Sequence, residues 1–286
     1  MENPKKNVFP AQHQDRQPGK ESEMTPAPVY ESKDYKLVGK LEGKVAVISG
    51  GDSGIGKAVA VNFAREGADI AIVYLKENDD ARETEELITG YGRKCCRIAA
   101  DLKQESEAAG VVNTIINQLG KIDILINNAA VQYPQNSILD INKDQLTHTF
   151  ESNIFSYFYM TKAALPHLSA GNTIINTASV VAFEGNPTLI DYSATKGAIV
   201  AFTRSMALSL VKQGIRVNAV APGPVWTPLI VSSFSAQEVK TFGSTVPMGR
   251  AAQPYELAPA YVFLACEDSS YITGQVLHVN GGTIIN

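Results

Sequence analysis

The chain has 286 residues, 44% of them hydrophobic, and its 25 basic and 29 acidic side chains give a formal net charge of −4 at pH 7. This composition is typical of a globular protein, and the mild acidity argues against a nucleic-acid-binding protein because no basic excess is left to neutralise phosphates. Residues 1–20 lack the apolar segment of a signal peptide, and no run approaches the roughly 18 consecutive apolar residues of a membrane-spanning helix, so we expect a cytoplasmic protein that does not enter a membrane.

The first 40 residues differ in composition from the rest of the chain. They hold five of the 14 prolines and show no apolar periodicity, which indicates an arm at 1–40 followed by one folded domain at 41–286. Isolated apolar side chains in the arm, among them Phe9, Val29, Tyr30 and Tyr35, favour docking on a folded surface such as that of a neighbouring subunit. A disordered tail is the alternative.

From residue 44 onward, short apolar runs alternate with longer helical patterns. The runs predict strands at 44–49, 69–74, 94–99, 122–127, 172–177, 215–221 and 275–279. The helical patterns lie at 55–67, 80–91, 105–119, 143–168, 189–212 and 254–266. Strands that are apolar on both faces and separated by helices are buried parallel strands, so we predict a single α/β domain with a doubly wound, seven-stranded parallel sheet and helices on both faces. A ligand should then bind at the carboxyl ends of the strands.

A glycine-rich turn follows the first predicted strand and leads directly into a helix. Its sequence is Ser49-Gly50-Gly51-Asp52-Ser53-Gly54-Ile55-Gly56, with G-x-x-x-G-x-G spacing rather than the G-x-G-x-x-G dinucleotide fingerprint. Glycines permit a tight turn and let backbone N–H groups approach a pyrophosphate at the positive end of a helix. The position favours a nucleotide site over an ordinary tight turn, with candidate contacts at Gly50, Ser53, Gly54, Ile55 and Gly56.

Two charged positions bear on the choice of cofactor. Lys76 lies 20 residues beyond Gly56, where dinucleotide-binding folds usually carry an acid for the adenosine ribose. A cation there would pair with a 2′-phosphate, which favours NADP(H) over NAD(H), although the acids that follow it keep NAD possible and Lys76 can also be a solvated surface residue. Asp101 follows the third strand with Gln104 three residues on, a pattern typical of a helix cap, and an adenine contact is the functional alternative.

Cysteine and histidine usage does not suggest a metal or redox site. Three cysteines cannot form a closed set of disulfides, and the neighbours Cys95 and Cys96 lie in a predicted strand. We therefore expect buried thiols. The four histidines show no metal-ligand spacing, so no metal is predicted.

A group of polar residues follows the fifth predicted strand. Tyr192 and Lys196 are four residues apart, so they share one face of a helix, although such a pair alone is also common on helix surfaces. The strand before them ends at Ser179, which brings a hydroxyl to the carboxyl edge of the sheet. Asn153 lies among apolar residues of the preceding helix, where its amide needs a partner.

At these residues the sequence resembles the classical short-chain dehydrogenase/reductase family, over residues 41–286. The resemblance rests on the glycine turn, Ser179 and further motifs, namely Asn127-Asn128-Ala129-Ala130, Tyr192-Ser193-Ala194-Thr195-Lys196, Pro222-Gly223, Tyr271-Ile272-Thr273-Gly274-Gln275 and Val279-Asn280-Gly281-Gly282. It implies a Rossmann-like fold. The polar arm is similar to that of bacterial glucose/ribitol-type and general-stress oxidoreductases.

The resemblance implies a role for each of these polar residues. Tyr192 would be the general acid/base, and Lys196 would lower the pKa of its phenol and bond the nicotinamide ribose. Ser179 would hydrogen-bond the substrate oxygen, and Asn153 would hold a water that connects Lys196 to solvent. Further cofactor contacts are implied at Leu102, Asn127, Ala129, Pro222, Gly223, Val225 and Thr227. Asp52 beside a pyrophosphate is electrostatically awkward, so we expect its side chain to turn toward nearby backbone.

The implied activity is that of an NADP(H)-preferring alcohol dehydrogenase or carbonyl reductase acting on a small molecule. The substrate stays open, because 180–183 favours an apolar carbonyl compound whereas Gln132 and Asn186 suit a polyol or sugar. A regulatory or interaction protein that binds the cofactor without turnover is the alternative. The helices at 143–168 and 189–212 carry excess apolar surface, as in family members that pair through them, so we expect a homotetramer.

Overall fold

In the computed structural model, which describes residues 8–284, seven strands form one parallel sheet. They are β1 (Val45–Ser49), β2 (Asp69–Tyr74), β3 (Cys95–Ala99), β4 (Ile124–Asn127), β5 (Thr173–Thr177), β6 (Arg216–Pro222) and β7 (Val276–Val279). Their order across the sheet is β3-β2-β1-β4-β5-β6-β7, so the direction of winding reverses beside β1. The predicted doubly wound sheet is confirmed, and each strand begins and ends within two residues of its predicted bounds.

Ten α-helices connect or flank these strands within the described residues. They are α1 (Gly54–Arg65), α2 (Asn78–Gly90), α3 (Glu105–Leu119), α4 (Lys143–Phe150), α5 (Ser156–Ala164), α6 (Val181–Glu184), α7 (Ile190–Leu210), α8 (Pro228–Val231), α9 (Ala236–Lys240) and α10 (Ala258–Ala265). No helix within 8–284 is long and apolar enough to cross a membrane.

Alternating side chains of the sheet form a separate apolar core on each face. In β1, Ile48 packs with Phe63 of α1 and Tyr261 of α10 on one face. Its neighbour Val47 packs on the other face with residues such as Val112 of α3 and Met160 of α5. All five residues of β1 are buried, as the two-sided apolar pattern predicts for a central parallel strand.

The helix predicted at 143–168 is one continuous helical stretch with a change of register inside it. α4 passes into a π-helical turn at Glu151–Phe155, then into α5 and a closing 3-10 turn at Leu165–His167. A π-turn inserts one residue into the helix and often occurs at functional sites. This one contains Asn153.

The described part of the arm, residues 8–40, packs on the domain of its own chain. Phe9 stacks on Trp226 with ring centroids 3.8 Å apart, and Met24 is buried in the same apolar cluster. Backbone hydrogen bonds from Val8 to Lys240 and from Gln14 to Val231, each 2.8 Å, fix its path beside α8 and α9. Residues 1–7 of the predicted arm lie outside the described residues.

Candidate active site

A cavity of about 940 Å³ opens at the carboxyl ends of the strands, on the side where a doubly wound sheet binds its ligand. It is lined by the turn after β1, by the segments that follow β3, β4, β5 and β6, and by the start of α7. Most residues proposed from the sequence line it: Gly50, Ser53, Gly54, Ile55, Asp101, Leu102, Ala129, Ser179, Tyr192, Lys196, Pro222, Gly223, Val225 and Thr227.

The glycine turn needs glycine for two separate reasons. Gly50 and Gly54 have φ angles of 64° and 53°, in the left-handed region that L-residues disfavour. Gly56 has no such φ, but a Cβ atom there would lie 1.9 Å from the carbonyl oxygen of Gly50. The turn and the first turn of α1 are therefore in direct backbone contact, which leaves the rim of the cavity free for a phosphate to approach.

The arm supplies a buried carboxylate behind this turn. An Oε1 atom of Glu21 accepts a 2.5 Å hydrogen bond from the backbone N–H of Gly54, and its Oε2 lies 2.9 Å from the Nζ of Lys57. Both side chains are buried. A negative charge at the start of α1 is favoured by the helix dipole, so Glu21 anchors the arm at the helix that begins the nucleotide site.

Asp52 lines the cavity within the same turn and is buried. Burial raises the pKa of its carboxyl to about 7, and hydrogen bonds with its own backbone amide and with Ser53 act in the opposite direction. That its side chain turns toward nearby backbone stays a prediction. Near neutral pH this carboxyl is partly protonated, which lessens its repulsion of a phosphate.

Tyr192, Lys196 and Ser179 are buried together at the cavity wall between β5 and α7. The Nζ of Lys196 donates a 2.8 Å hydrogen bond to the carbonyl oxygen of Thr177 and lies 5.4 Å from the ring centre of Tyr192. Thr177 is in turn held by a 2.8 Å hydroxyl contact with Tyr261. The end of β5 thus fixes the ammonium group beside the phenol.

Burial dominates the pKa values of this pair. It raises the pKa of the Tyr192 phenol to about 12, and a hydrogen bond with Ser179 offsets part of this rise. It lowers the pKa of the Lys196 ammonium to about 7. That Lys196 depresses the pKa of Tyr192 stays a prediction, since burial sets the direction of both shifts.

Asn153 lies outside the cavity and holds one of its walls in place. Its Oδ1 accepts from the backbone N–H of Val131 and its Nδ2 donates to the carbonyl oxygen of Val131, both at 2.8 Å. A further 3.2 Å bond reaches the hydroxyl of Thr195, next to Lys196. The π-turn directs this amide toward the segment after β4. The hydrogen-bond partner expected for the Asn153 amide is therefore the backbone peptide of Val131.

Three other predicted site residues also lie outside the lining. Gly56 packs α1 on the turn, and the amide of Asn127 donates 2.9 and 3.2 Å hydrogen bonds to Asn176 and Thr161, which tie β4 to β5 and α5. Lys76 is exposed beyond the end of β2. The next residue in the sequence, Glu77, is buried and forms an ion pair with Arg16 of the arm.

The helix-cap interpretation of Asp101 is wrong. α3 begins at Glu105 with Gln104 at its N-cap, whereas the Asp101 carboxylate accepts from the backbone N–H of Lys103 at 3.1 Å and lines the cavity. The sequence also missed Lys103 and Pro18, which both line the cavity. Pro18 carries no local signal for this role, because only the docking of the arm brings it there.

The chain is similar to several known proteins over most of its length. Residues 50–283 match a family model described as enoyl-(acyl carrier protein) reductase. The chain is 57% identical to general stress protein 39 of Bacillus subtilis, with 97% of each chain covered. It is 55% identical to the glucose and ribitol dehydrogenase of Daucus carota, covering 97% of this chain and 98% of that one. It is 54% identical to the chloroplastic NADPH-dependent aldehyde reductase 1 of Arabidopsis thaliana, covering 96% and 98%.

Solved structures share the fold. A short-chain dehydrogenase from Burkholderia cenocepacia, solved in complex with NADP, is 29% identical and superposes with a TM-score of 0.80 over 85% of this chain and 98% of that one. A 3-ketoacyl-(acyl-carrier-protein) reductase from Brucella melitensis, complexed with NADH, is 33% identical with a TM-score of 0.78 over 86% and 100%. These two structures cover 85% and 86% of this chain, whereas the relatives above cover 96–97% of it.

Proposed function

The chain belongs to the short-chain dehydrogenase/reductase family and is an oxidoreductase that uses a nicotinamide cofactor, and from this we propose that it interconverts an alcohol and a carbonyl compound with Tyr192 as general acid/base. The observation that carries the proposal is the shared burial of Tyr192, Ser179 and Lys196 at one wall of a cavity whose rim is the glycine turn. A cofactor-binding protein without turnover would not need this set.

The residues present fit a nicotinamide dinucleotide. Gly50, Gly54 and Gly56 form a turn in which side chains are excluded by φ or by contact, and the cavity of about 940 Å³ extends from that turn to Tyr192. Ser53, Ile55 and the start of α1 would hold the pyrophosphate, Asp101 and Leu102 the adenine, and Thr227 the carboxamide. When bound, the nicotinamide would supply or accept the hydride at the carbon of the substrate.

The chain's own residues handle the proton. In reduction, the Tyr192 hydroxyl donates its proton to the carbonyl oxygen, and the raised pKa of Tyr192 keeps this proton in place at neutral pH. The Ser179 hydroxyl hydrogen-bonds the same oxygen and stabilises the charge that develops there. The Lys196 ammonium, held by Thr177, stabilises the phenolate that is left. In oxidation the same groups act in reverse.

We propose NADP(H) as the preferred cofactor. Support comes from the relative described as an NADPH-dependent aldehyde reductase and from the neighbour solved with NADP, whereas the neighbour solved with NADH shows that the fold accommodates either. Lys76 is the sequence-based candidate for the 2′-phosphate, and Lys103 is a second cation at the cavity.

We also propose a homotetramer that pairs through α4, α5 and α7. The rings of Phe158 and Phe202 on these helices are tilted against each other with centroids 4.3 Å apart, and Phe155, Phe158 and Leu208 remain substantially exposed on the described chain. A contiguous apolar face of this kind is typical of a subunit interface.

The decisive experiment follows absorbance of the reduced nicotinamide with a panel of carbonyl compounds and alcohols. Tyr192→Phe keeps the ring but removes the proton donor, so kcat should fall at least about 100-fold while cofactor binding survives. Tyr271→Phe is the matched control, because Tyr271 is fully exposed, and it should leave kcat unchanged. Near-normal turnover in Tyr192→Phe would refute the assigned role, and a wild type that binds cofactor tightly but reacts with nothing would favour the binding protein.

A further inference from the structure

One buried amide at the cavity has no partner. The side chain of Gln132 is 3% exposed, lines the cavity, and its Nε2 has no hydrogen-bond partner among residues 8–284. An unpaired buried N–H group is costly, and nearly all such groups in native proteins are satisfied. The second amide considered for a substrate, Asn186, differs, because it is only half-buried and its Oδ1 is tied to the backbone N–H and hydroxyl of Thr188.

The backbone of Gln132 is held from three sides. Its carbonyl oxygen accepts a 2.7 Å hydrogen bond from Nε2 of Gln17 in the arm and a longer one from the hydroxyl of Ser233 after α8. Its own N–H donates to Oε1 of Gln17 at 3.5 Å. The preceding residue, Val131, is the one clamped by Asn153. The backbone that carries the Gln132 side chain is thus fixed, which limits where its amide can lie, as is typical of recognition groups in binding sites.

The chemistry around Gln132 restricts what it can bind. The cavity lining near the reactive residues includes Val180, Val181 and Leu189, which pack with Tyr192 and offer no hydrogen bonds through their side chains. The reacting oxygen already has Ser179 and Tyr192. The unpaired donor of Gln132 therefore suits an acceptor elsewhere on the substrate.

We propose that Gln132 is a specificity-determining residue whose Nε2 donates a hydrogen bond to a hydroxyl oxygen of the substrate, on a carbon other than the one reduced or oxidised. The substrate class is then hydroxylated aldehydes or ketones and the corresponding polyols. Gln17 is a positioning residue that sets Gln132 from the arm. This inference rests on the proposed oxidoreductase function and adds the identity of the substrate class.

The test compares two aldehydes of equal carbon number, D-glyceraldehyde and propanal. The wild type should prefer glyceraldehyde in kcat/KM. Gln132→Met, similar in size but without the amide, should lose about 10- to 100-fold on glyceraldehyde and change less than about 3-fold on propanal, because a site built to hydrogen-bond a hydroxyl loses only that selectivity. Gln132→Glu keeps the size but replaces the donor by an acceptor, and it should behave likewise. Gln118→Met on the exposed face of α3 is the matched control.

A binding measurement separates this inference from the proposed function. Ribitol, added with NADP⁺, should raise the melting temperature of the wild type and not that of Gln132→Met, a readout that needs no turnover. Equal preference for both aldehydes in the wild type, or equal losses on both in the variant, would overturn the inference while leaving the reductase assignment intact. A weaker NADP⁺ dissociation constant in Gln132→Met would show that the amide serves the cofactor instead, and would also overturn it.

The positioning role of Gln17 has its own signature. Gln17→Ala should lower the glyceraldehyde-to-propanal ratio in the same direction as Gln132→Met but by less, mainly through KM. Combined with Gln132→Met it should cause little additional loss of the ratio, because both changes act on one hydrogen bond. A lower melting temperature with an unchanged ratio would show that Gln17 only stabilises the arm.

Discussion

The Asp52 carboxyl illustrates how burial in the glycine turn changes the chemistry of a single residue. Its pKa rises from the ordinary 3.8 to about 7, so the folded state binds its proton more tightly than the unfolded state does. The stability that this proton contributes is complete below about pH 4 and is lost as pH rises through about 7. The ionised Asp52 carboxylate therefore destabilises the folded state at alkaline pH.

We expect Asp52→Asn to stabilise the protein more at pH 8 than at pH 5. Because the pKa is about 7, the effect develops over roughly the 2 pH units between pH 5 and 7, which sets an upper limit of about 3 kcal/mol on the difference at about 1.4 kcal/mol per unit. Urea unfolding of wild type and variant at both pH values measures it. Asp140→Asn, at an exposed position, is the control and should show no such pH dependence. A difference that is the same at both pH values would contradict the assignment.

Lys76 carries the prediction of cofactor choice. Lys76→Glu removes an attraction for a 2′-phosphate and adds a repulsion, so the ratio of the NADPH and NADH dissociation constants should move toward NADH by about 10-fold or more. Lys94→Glu, an exposed lysine at the opposite end of the strands, should leave the ratio unchanged. If Lys76→Glu also leaves it unchanged, Lys76 is a solvated surface residue and Lys103 becomes the cation to replace.

At this scale the sequence identifies the reactive groups but not their electrostatics. Ser179 could be placed after a strand end and Tyr192 and Lys196 on one helix face, and the resemblance to a known family then implied their roles. The direction of the Tyr192 pKa shift could not be predicted, since it depends on how completely the phenol and the ammonium are removed from water. That depends on residues distant in sequence, such as Tyr157 and Tyr261, which pack around the end of β5.

The first helix and the turn before it behave as one element. In Gly56→Ala the new methyl group would meet the Gly50 carbonyl oxygen at 1.9 Å and the Asn128 amide at 2.8 Å, so the turn must move. We expect a loss of about 1–3 kcal/mol of stability, as for overpacking, and at least 10-fold weaker cofactor binding. Unfolding curves and cofactor titration measure the two effects.

Gly110→Ala is the matched control for that change. Gly110 lies within α3, and a Cβ there meets nothing within 4 Å, so the substitution should stabilise the helix by about 0.5–1 kcal/mol. If both variants bound cofactor as the wild type does, close packing at Gly56 would not be needed for the site.

The elements themselves were largely predictable because buried parallel strands and amphipathic helices leave strong periodic signals. The π-turn in the long helix was not predictable, because nothing in the local sequence around Asn153 indicates a change of helical register. In the structure the turn brings the Asn153 amide to the backbone of Val131. α8 and α9 were also missed, because they are short helices that pack through Val231 and Val239 against Trp226 and gain little from local periodicity.

At the scale of the whole molecule, composition distinguished the arm from the domain but did not predict how closely the two cooperate. Proline content and missing periodicity indicate an arm at 1–40 that is separate from the domain. The structure ties this arm to the cavity. Glu21 reaches the first N–H of α1, Pro18 lines the cavity, and Gln17 fixes Gln132.

Deleting residues 1–40 should therefore lower both stability and cofactor affinity. The deletion exposes Trp226, which Phe9 covers and whose indole N–H donates to Pro26 at 2.8 Å, and it removes the partner of the buried Lys57. Apolar area re-exposed at roughly 25 cal/mol per Å² and a broken buried ion pair together predict a melting temperature several degrees lower. Thermal melts and cofactor titration of the full-length and shortened chains measure the change.

Point variants distinguish the ion pair from the rest of the arm. Glu21→Gln leaves the arm in place, but Lys57 then has only the exposed Glu83 as a charge partner. We expect part of the loss in stability that the deletion causes. We also expect weaker cofactor binding, because Glu21 contacts the N-terminus of α1. Glu23→Gln, two residues away and exposed, should do neither.

Because the described arm packs on its own chain, light scattering should give the same mass before and after deletion. A lower mass would place the arm at the subunit interface, and an unchanged melting temperature would show that its contacts contribute nothing to the fold.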